Sequence, residues 1–157
     1  MKIVKKILLL LLVVFVIMQF FGPEKNSGET SSLNAFITET NPPENVKSIM
    51  KNSCFDCHSN VTKYPWYFNI TPVNYWMAEH IEHGKEELNF SKWADYSLKR
   101  KEHKMEEVWE EVKKKKMPLD SYTWTHSEAD LSLEQIEIIV NWAKQIQTDY
   151  KNQLNTQ

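Results

Sequence analysis

Apolar residues run almost without interruption from Ile7 to Phe21, directly after Lys2, Lys5 and Lys6. Further along they recur at intervals of three and four among charged positions, the period of helices with one buried face. Val46, Ile49, Met50, Ser53 and Cys57 share such a face on a helix entered at "NPPE". There Asn41 can cap, a proline suits the first turn, and Glu44 favours the positive end of the helix dipole. Val73, Trp76, Met77 and His80 share the face of a second helix, from Pro72 to about His83, with Gly84 as its stop. Leu98, Met105, Val108, Trp109 and Val112 line a third, ending near Lys115. A fourth starts after Leu131, where Ser132 and Gln135 can form a capping box, and carries Ile136, Ile139, Val140, Ala143 and Ile146 inward. The stretches between, "SNVTKYPWYFNITP", "NFSKW" and "KKKKMPLDSYTWTHSEAD", read as irregular segments, the last broken at Pro118. No long Val/Ile/Thr alternation competes with this pattern, so the expected fold class is mainly α.

The length of 157 residues suggests one folded domain, and three glycines leave little room for a phosphate-cradling loop. Basic residues followed by an apolar run predict an N-terminal membrane anchor or signal over residues 1–22. No small-residue cleavage site follows the run, which favours an uncleaved single-pass anchor. Lysines before the run stay in the cytoplasm and put the rest of the chain outside it, at the inner membrane of a bacterium or in its periplasm. Residues 23–41, polar with Ser and Thr, read as a polar linker, and 42–150 as the domain. With the three leading lysines set aside, the remainder is more acidic than the formal −2 of the whole chain. A nucleic-acid partner is not expected.

The chemistry concentrates in "SCFDCHSN", which holds the only two cysteines. Cys54 and Cys57 are one helical turn apart, with His58 directly after. This is the spacing for adding two thiols across the vinyl groups of a haem, with His58 as proximal iron ligand. Two other readings compete. The thiols can close on each other in an oxidising compartment, although no βαβ pattern surrounds them. Alternatively Cys54, Cys57, His80 and His83 can make a Cys2His2 zinc set, with the histidines slightly tightly spaced. For a haem, a second axial ligand is expected. Met117 sits in a loop before Pro118, where a thioether has no core-filling role, and is the first candidate. His80 is the alternative, but on an apolar helical face a histidine is more often a hydrogen-bonded core residue. Tyr64, Trp66 and Tyr67 are candidate walls of the haem pocket. Lys113–Lys116 can be a docking patch for an acidic redox partner or simply a solvated helix end.

With these residues on the page, the chain resembles the bacterial haem-binding domain family, small c-type cytochrome-like proteins often carrying an N-terminal anchor. "CFDCHSN", "YPWYFNITP", "HIEHGKEELNFSKW", "MPLDSYTWTHSEADLS" and the helix with Trp142 carry the resemblance. It implies one covalent haem c on Cys54 and Cys57, ligation by His58 and a mostly helical, cytochrome c-like domain. Met117 corresponds in position to the methionine the family places before its proline. The expectation is a membrane-tethered electron carrier with redox protein partners and no enzymatic activity of its own. An open distal face would instead make a haem sensor or a peroxidase-like partner, and the Cys2His2 set an exported zinc module.

Overall fold

The computed structural model describes residues 1–156, and these form eight α-helices joined by short 3-10 turns. The helices are α1 (Lys2–Met18), α2 (Asn34–Thr40), α3 (Glu44–Ser53), α4 (Phe55–His58), α5 (Val73–Glu87), α6 (Leu98–Lys113), α7 (Asp120–Thr123) and α8 (Leu133–Asn155). Among the described residues no strand forms, and the only β pairing is an isolated bridge between Ser27 and Val61. The mainly α expectation holds.

The antiparallel-type pairing of α6 with α8 is the largest helix contact, and polar side chains fix its register. Trp109 Nε1 donates to Gln147 Oε1 at 2.9 Å, and Gln147 Nε2 donates to Glu102 Oε1 at 2.7 Å. The entry to α8 is set by Ser132 and Gln135, which close the reciprocal capping box read from the sequence. Against this pair packs an aromatic centre of Phe36, Phe55, Phe90 and Trp93, supported by Met50, Met105 and Ile139.

Several expected boundaries move, each for a local reason. Asn41 does not start α3. It ends α2 in the left-handed conformation (φ 38°), which asparagine tolerates better than most residues, and Pro43 precedes α3 instead. α3 stops at Ser53 because the chain kinks at Cys54 (φ −126°, ψ −48°), so Cys57 belongs to the separate short α4. α5 runs through Gly84 to Glu87. Trp76 lies about half exposed, while Ile81 and Asn74 are its buried positions. "NFSKW" is a 3-10 turn that buries Phe90 and Trp93, and the loop after α6 contains α7 and another 3-10 turn.

Residues 23–41 are not a free linker. Leu33 and Phe36 enter the core, and Thr40 is buried with its hydroxyl donating to Phe36 O. Upstream, Asn26 N donates to Tyr64 Oη at 2.6 Å, its side-chain amide donates to Ser59 O and Thr62 Oγ1, and Gly28 N donates to Asn60 O. Polar composition misread this segment because its hydrogen-bonding side chains grip the domain and do not simply solvate a tether.

α1 has no buried residue and reaches about 26 Å at the usual rise per residue. No helix among the described residues is long and apolar enough to cross a membrane. The single span expected from the sequence falls short because the helix ends at Met18, with Gln19 and Phe21 bonded to the domain at Thr71.

Candidate functional site

α4 carries the cysteines and His58, and it is held from several sides. Ser59, fully buried, donates to Phe55 O at 2.7 Å. Thr62 Oγ1 donates to Asp56 O, Lys63 N donates to Asp56 Oδ1 at 2.9 Å, and Tyr122 Oη donates to Asp56 Oδ2 at 2.8 Å. Burial beside this carboxylate raises the Tyr122 phenol above its ordinary range, so it remains a donor. Phe55 anchors the other face in the aromatic centre.

Gly84 lets α5 cross directly over α4. A Cβ at Gly84 would stand 2.8 Å from Cys57 O and 3.2 Å from Cys57 Cβ. The glycine expected to stop a helix is thus needed for close approach. Gly84→Ala should cost about 1–3 kcal/mol, as overpacking does, since the atom it meets is backbone. Denaturant unfolding of the variant against wild type checks this. An unchanged midpoint would mean that the two helices separate freely.

The same crossing orients His58. Its Nδ1 stands 2.9 Å from Gly84 O and 3.1 Å from Leu88 O. Carbonyl oxygens only accept, so Nδ1 carries the proton and the lone pair of Nε2 is left free. Burial lowers the His58 pKa, which favours this neutral form. A neutral imidazole with Nδ1–H tied to backbone carbonyl is how metal-ligating histidines are held.

His58 and Cys54 line a cavity of about 290 Å³ together with Leu88, Phe90, Val108, Val112 and Met117. Met117 is brought there by the end of α6. Lys115 takes a left-handed conformation (φ 55°), Lys115 N donates to Val112 O, and Lys116 N donates to Glu111 O, which reverses the chain. Three carboxylate residues, Glu87, Glu107 and Glu111, also border the cavity.

The other sequence candidates lie elsewhere. Cys57 lines an adjoining apolar cleft with Tyr67, Trp76, Met77, His80, Tyr122 and His126. His80 is therefore not on the cavity that His58 and Met117 share, and its Nδ1 pairs with Trp76 O at 2.8 Å. Tyr64 packs on Phe68 with centroids 4.1 Å apart, and Trp66 is 76 % exposed. Neither walls the cavity beside His58, and Tyr67 belongs to the adjoining cleft. The walls are Val108 and Val112, which the helical spacing marks as buried positions, and Leu88 and Phe90, to which the sequence pattern assigns no role. His83 is exposed and 4.0 Å from Glu86. No group of three or more His, Cys, Asp or Glu side chains among the described residues is gathered as a metal site, so the Cys2His2 zinc set is not assembled.

Both cysteines are free. Burial, with Cys57 nearby, pushes the Cys54 thiol up to about 12, and burial, with Asp56 nearby, pushes Cys57 up to about 11. Burial therefore disfavours the thiolate at both cysteines. A cavity bordered by a thiol, an imidazole with a free nitrogen and a thioether is a donor set that fits a haem.

Comparison with known proteins agrees with this chemistry. The model of the haem-binding domain family matches residues 13–145. No curated protein and no solved structure matches the chain. The matched span begins inside α1 and ends within α8, taking in the segment that grips the domain, the cysteine-bearing α4 and the Met117 turn. The chain belongs to the haem-binding domain family.

Proposed function

We propose that the protein is a membrane-tethered, monohaem c-type cytochrome domain that passes single electrons outside the cytoplasm. The observation that carries this reading is the free Nε2 of His58, fixed by Gly84 O and Leu88 O on the same cavity as Cys54 and Met117. When bound, the haem iron supplies one-electron oxidation and reduction. The chain supplies the rest. Cys54 and Cys57 would attach the macrocycle, and His58 and Met117 would hold its iron. Phe90, Leu88, Val108 and Val112 keep water from the cavity, and a soft thioether favours the reduced metal. Iron held by both His58 and Met117 would have no open site for a substrate, so no enzymatic step is expected.

The tether in this reading is α1, every residue of which is exposed on the folded chain. Its apolar surface needs a covering, and lipid provides one. Lys2, Lys5 and Lys6 then snorkel toward the lipid headgroups at the free end of α1. A redox partner docks near the haem cavity. Lys114 pairs with Glu110 and Lys116 lies 3.7 Å from Glu111, so the lysine run is partly neutralised, and Glu87, Glu107 and Glu111 add an acidic border. This mixed surface favours a partner that carries both signs of charge.

The decisive experiment is the absorption spectrum of the full chain, oxidised and reduced, from cells equipped for c-type maturation. A low-spin spectrum is expected, and a colourless protein would sink the reading. Met117→Ala should then bind cyanide or carbon monoxide readily where wild type does not, and its reduction potential should fall. Equal ligand binding in both proteins would mean that Met117 is not the distal ligand and that the open-faced sensor reading holds.

A further inference from the structure

The end of α1 is locked to one place on the domain. The Gln19 side chain makes a two-way pair with the Thr71 backbone: Nε2 donates to Thr71 O at 3.1 Å, and Thr71 N donates to Oε1 at 2.9 Å. Thr71 Oγ1 donates to Phe21 O at 3.1 Å and accepts from Asn74 Nδ2 at 3.0 Å. Gly22 lies so close that an added Cβ would be 3.1 Å from Asn74 Nδ2. Thr71 and Asn74 are both buried. A side chain that closes two hydrogen bonds with one buried residue fixes direction as well as proximity.

Solvent-facing aromatic side chains flank this lock along the chain. Trp66 is on the 3-10 turn before Thr71, and Tyr75 and Trp76 are on the first turn of α5 just after it. Their exposures are 76 %, 47 % and 46 %, and Phe20 and Phe21 at the lock itself are 83 % and 64 % exposed. A domain of this size rarely leaves so many large apolar side chains uncovered. Lys25 stands over the Tyr64 and Phe68 rings close by, at 5.5 and 5.6 Å.

We propose that Phe20, Phe21, Trp66, Tyr75 and Trp76 form an aromatic collar that seats the domain in the headgroup region of a lipid bilayer, with the Gln19–Thr71 lock holding its orientation. This rests on the reading of α1 as the lipid-embedded tether. The occupant is lipid and not another protein because Phe20 and Phe21 carry the bare apolar surface of α1 directly on to the lock at Thr71. Trp and Tyr rings with apolar bodies and polar edges are the side chains that settle at that depth. The collar also lengthens the lipid-facing apolar surface beyond Met18, which α1 alone lacks. Gly84 and Leu88, which orient His58, lie toward the other end of α5. The lock thus sets which way the haem cavity faces. A flexible tether would leave that direction free.

The test is hydroxyl-radical labelling of the haem-loaded full chain in vesicles of phosphatidylcholine and phosphatidylglycerol, read residue by residue by mass spectrometry. Flotation of the vesicles is measured on the same sample. The expected result is flotation with the vesicles and labelling of Trp66, Tyr75 and Trp76 several-fold slower than that of His103, which is exposed on α6. The variant Gln19→Ala with Thr71→Val should still float while the collar becomes labelled. Flotation with collar labelling as fast as His103 would overturn the collar and leave the tether standing. A chain that stays in solution would overturn the tether reading, and the collar with it.

Discussion

When Cys54 and Cys57 are both changed to alanine, haem should no longer stay with the denatured chain. The two thiols are the only ones in the sequence, so nothing else can form a thioether. The effect is all-or-none on a denaturing gel stained for haem, and intact mass should fall by the mass of the prosthetic group. The single variants discriminate further. Cys54 faces the cavity that His58 and Met117 share, whereas Cys57 lies against Gly84 and faces the adjoining cleft. Loss of Cys54 should therefore reduce attachment more than loss of Cys57. His58→Ala, with both thiols kept, should retain some covalent haem but lose the low-spin spectrum, because the fixed Nε2 donor is gone. Haem that survives denaturation of the double variant would show that attachment does not use these cysteines.

The most legible parts of this protein were those whose signal is local. The thiol–thiol–imidazole spacing, the Ser132 and Gln135 capping box, and the apolar stripes of α3, α6 and α8 each lie within a few turns of sequence. Their physics needs no distant partner. The place of Met117 on the cavity beside His58 was legible for a different reason: a large apolar side chain in a polar loop has no helical stripe to belong to.

What the sequence hid depended on contacts across the chain. Gly84 looks like a helix stop until Cys57 is seen behind it, some 27 residues earlier. His58 carries no mark that Gly84 and Leu88 will hold its Nδ1. The aromatic run from Tyr64 to Phe68 suggested a haem wall because those rings are large and adjacent in sequence. In the fold they divide, with Phe68 buried, Tyr67 in the adjoining cleft and Trp66 in solvent, and the cavity is walled instead by aliphatic residues of α6 and by Phe90. The stretch before α3 was misread for composition. Its signal was present all the same: Leu33, Phe36, Ile37 and Thr40 stand at the spacing of one helical face, but over barely two turns, too short to outweigh the surrounding Ser, Thr and Asn.

Phe36→Ala should be among the most damaging substitutions in the chain, although it lies in a segment whose composition resembles a linker. The ring is fully buried. It sits 4.5 Å from Phe90, 5.1 Å from Trp93, 6.2 Å from Trp142 and 6.4 Å from Phe55, centroid to centroid, mostly edge-on. Removing it leaves a hole at the point where α2, α4, α8 and the Phe90–Asp95 turn meet. A cavity of this kind costs about 3–5 kcal/mol. The edge-to-face partners lose a further fraction of their packing, since each such pair contributes about 0.5–1.5 kcal/mol beyond area. Denaturant unfolding of the haem-loaded full chain, followed by far-UV circular dichroism, should show the midpoint falling by most of the domain's margin. Thr38→Ala, two residues away on the exposed face, should change it little. The contrast matters because Phe36 also braces Phe55, and Phe55 begins the helix that carries Cys57 and His58. The variant should therefore widen the haem spectrum at temperatures where the chain is still folded. If Phe36→Ala unfolded like wild type, residues 30–40 would be a tether after all, and the aromatic centre would not be what holds α4 in place.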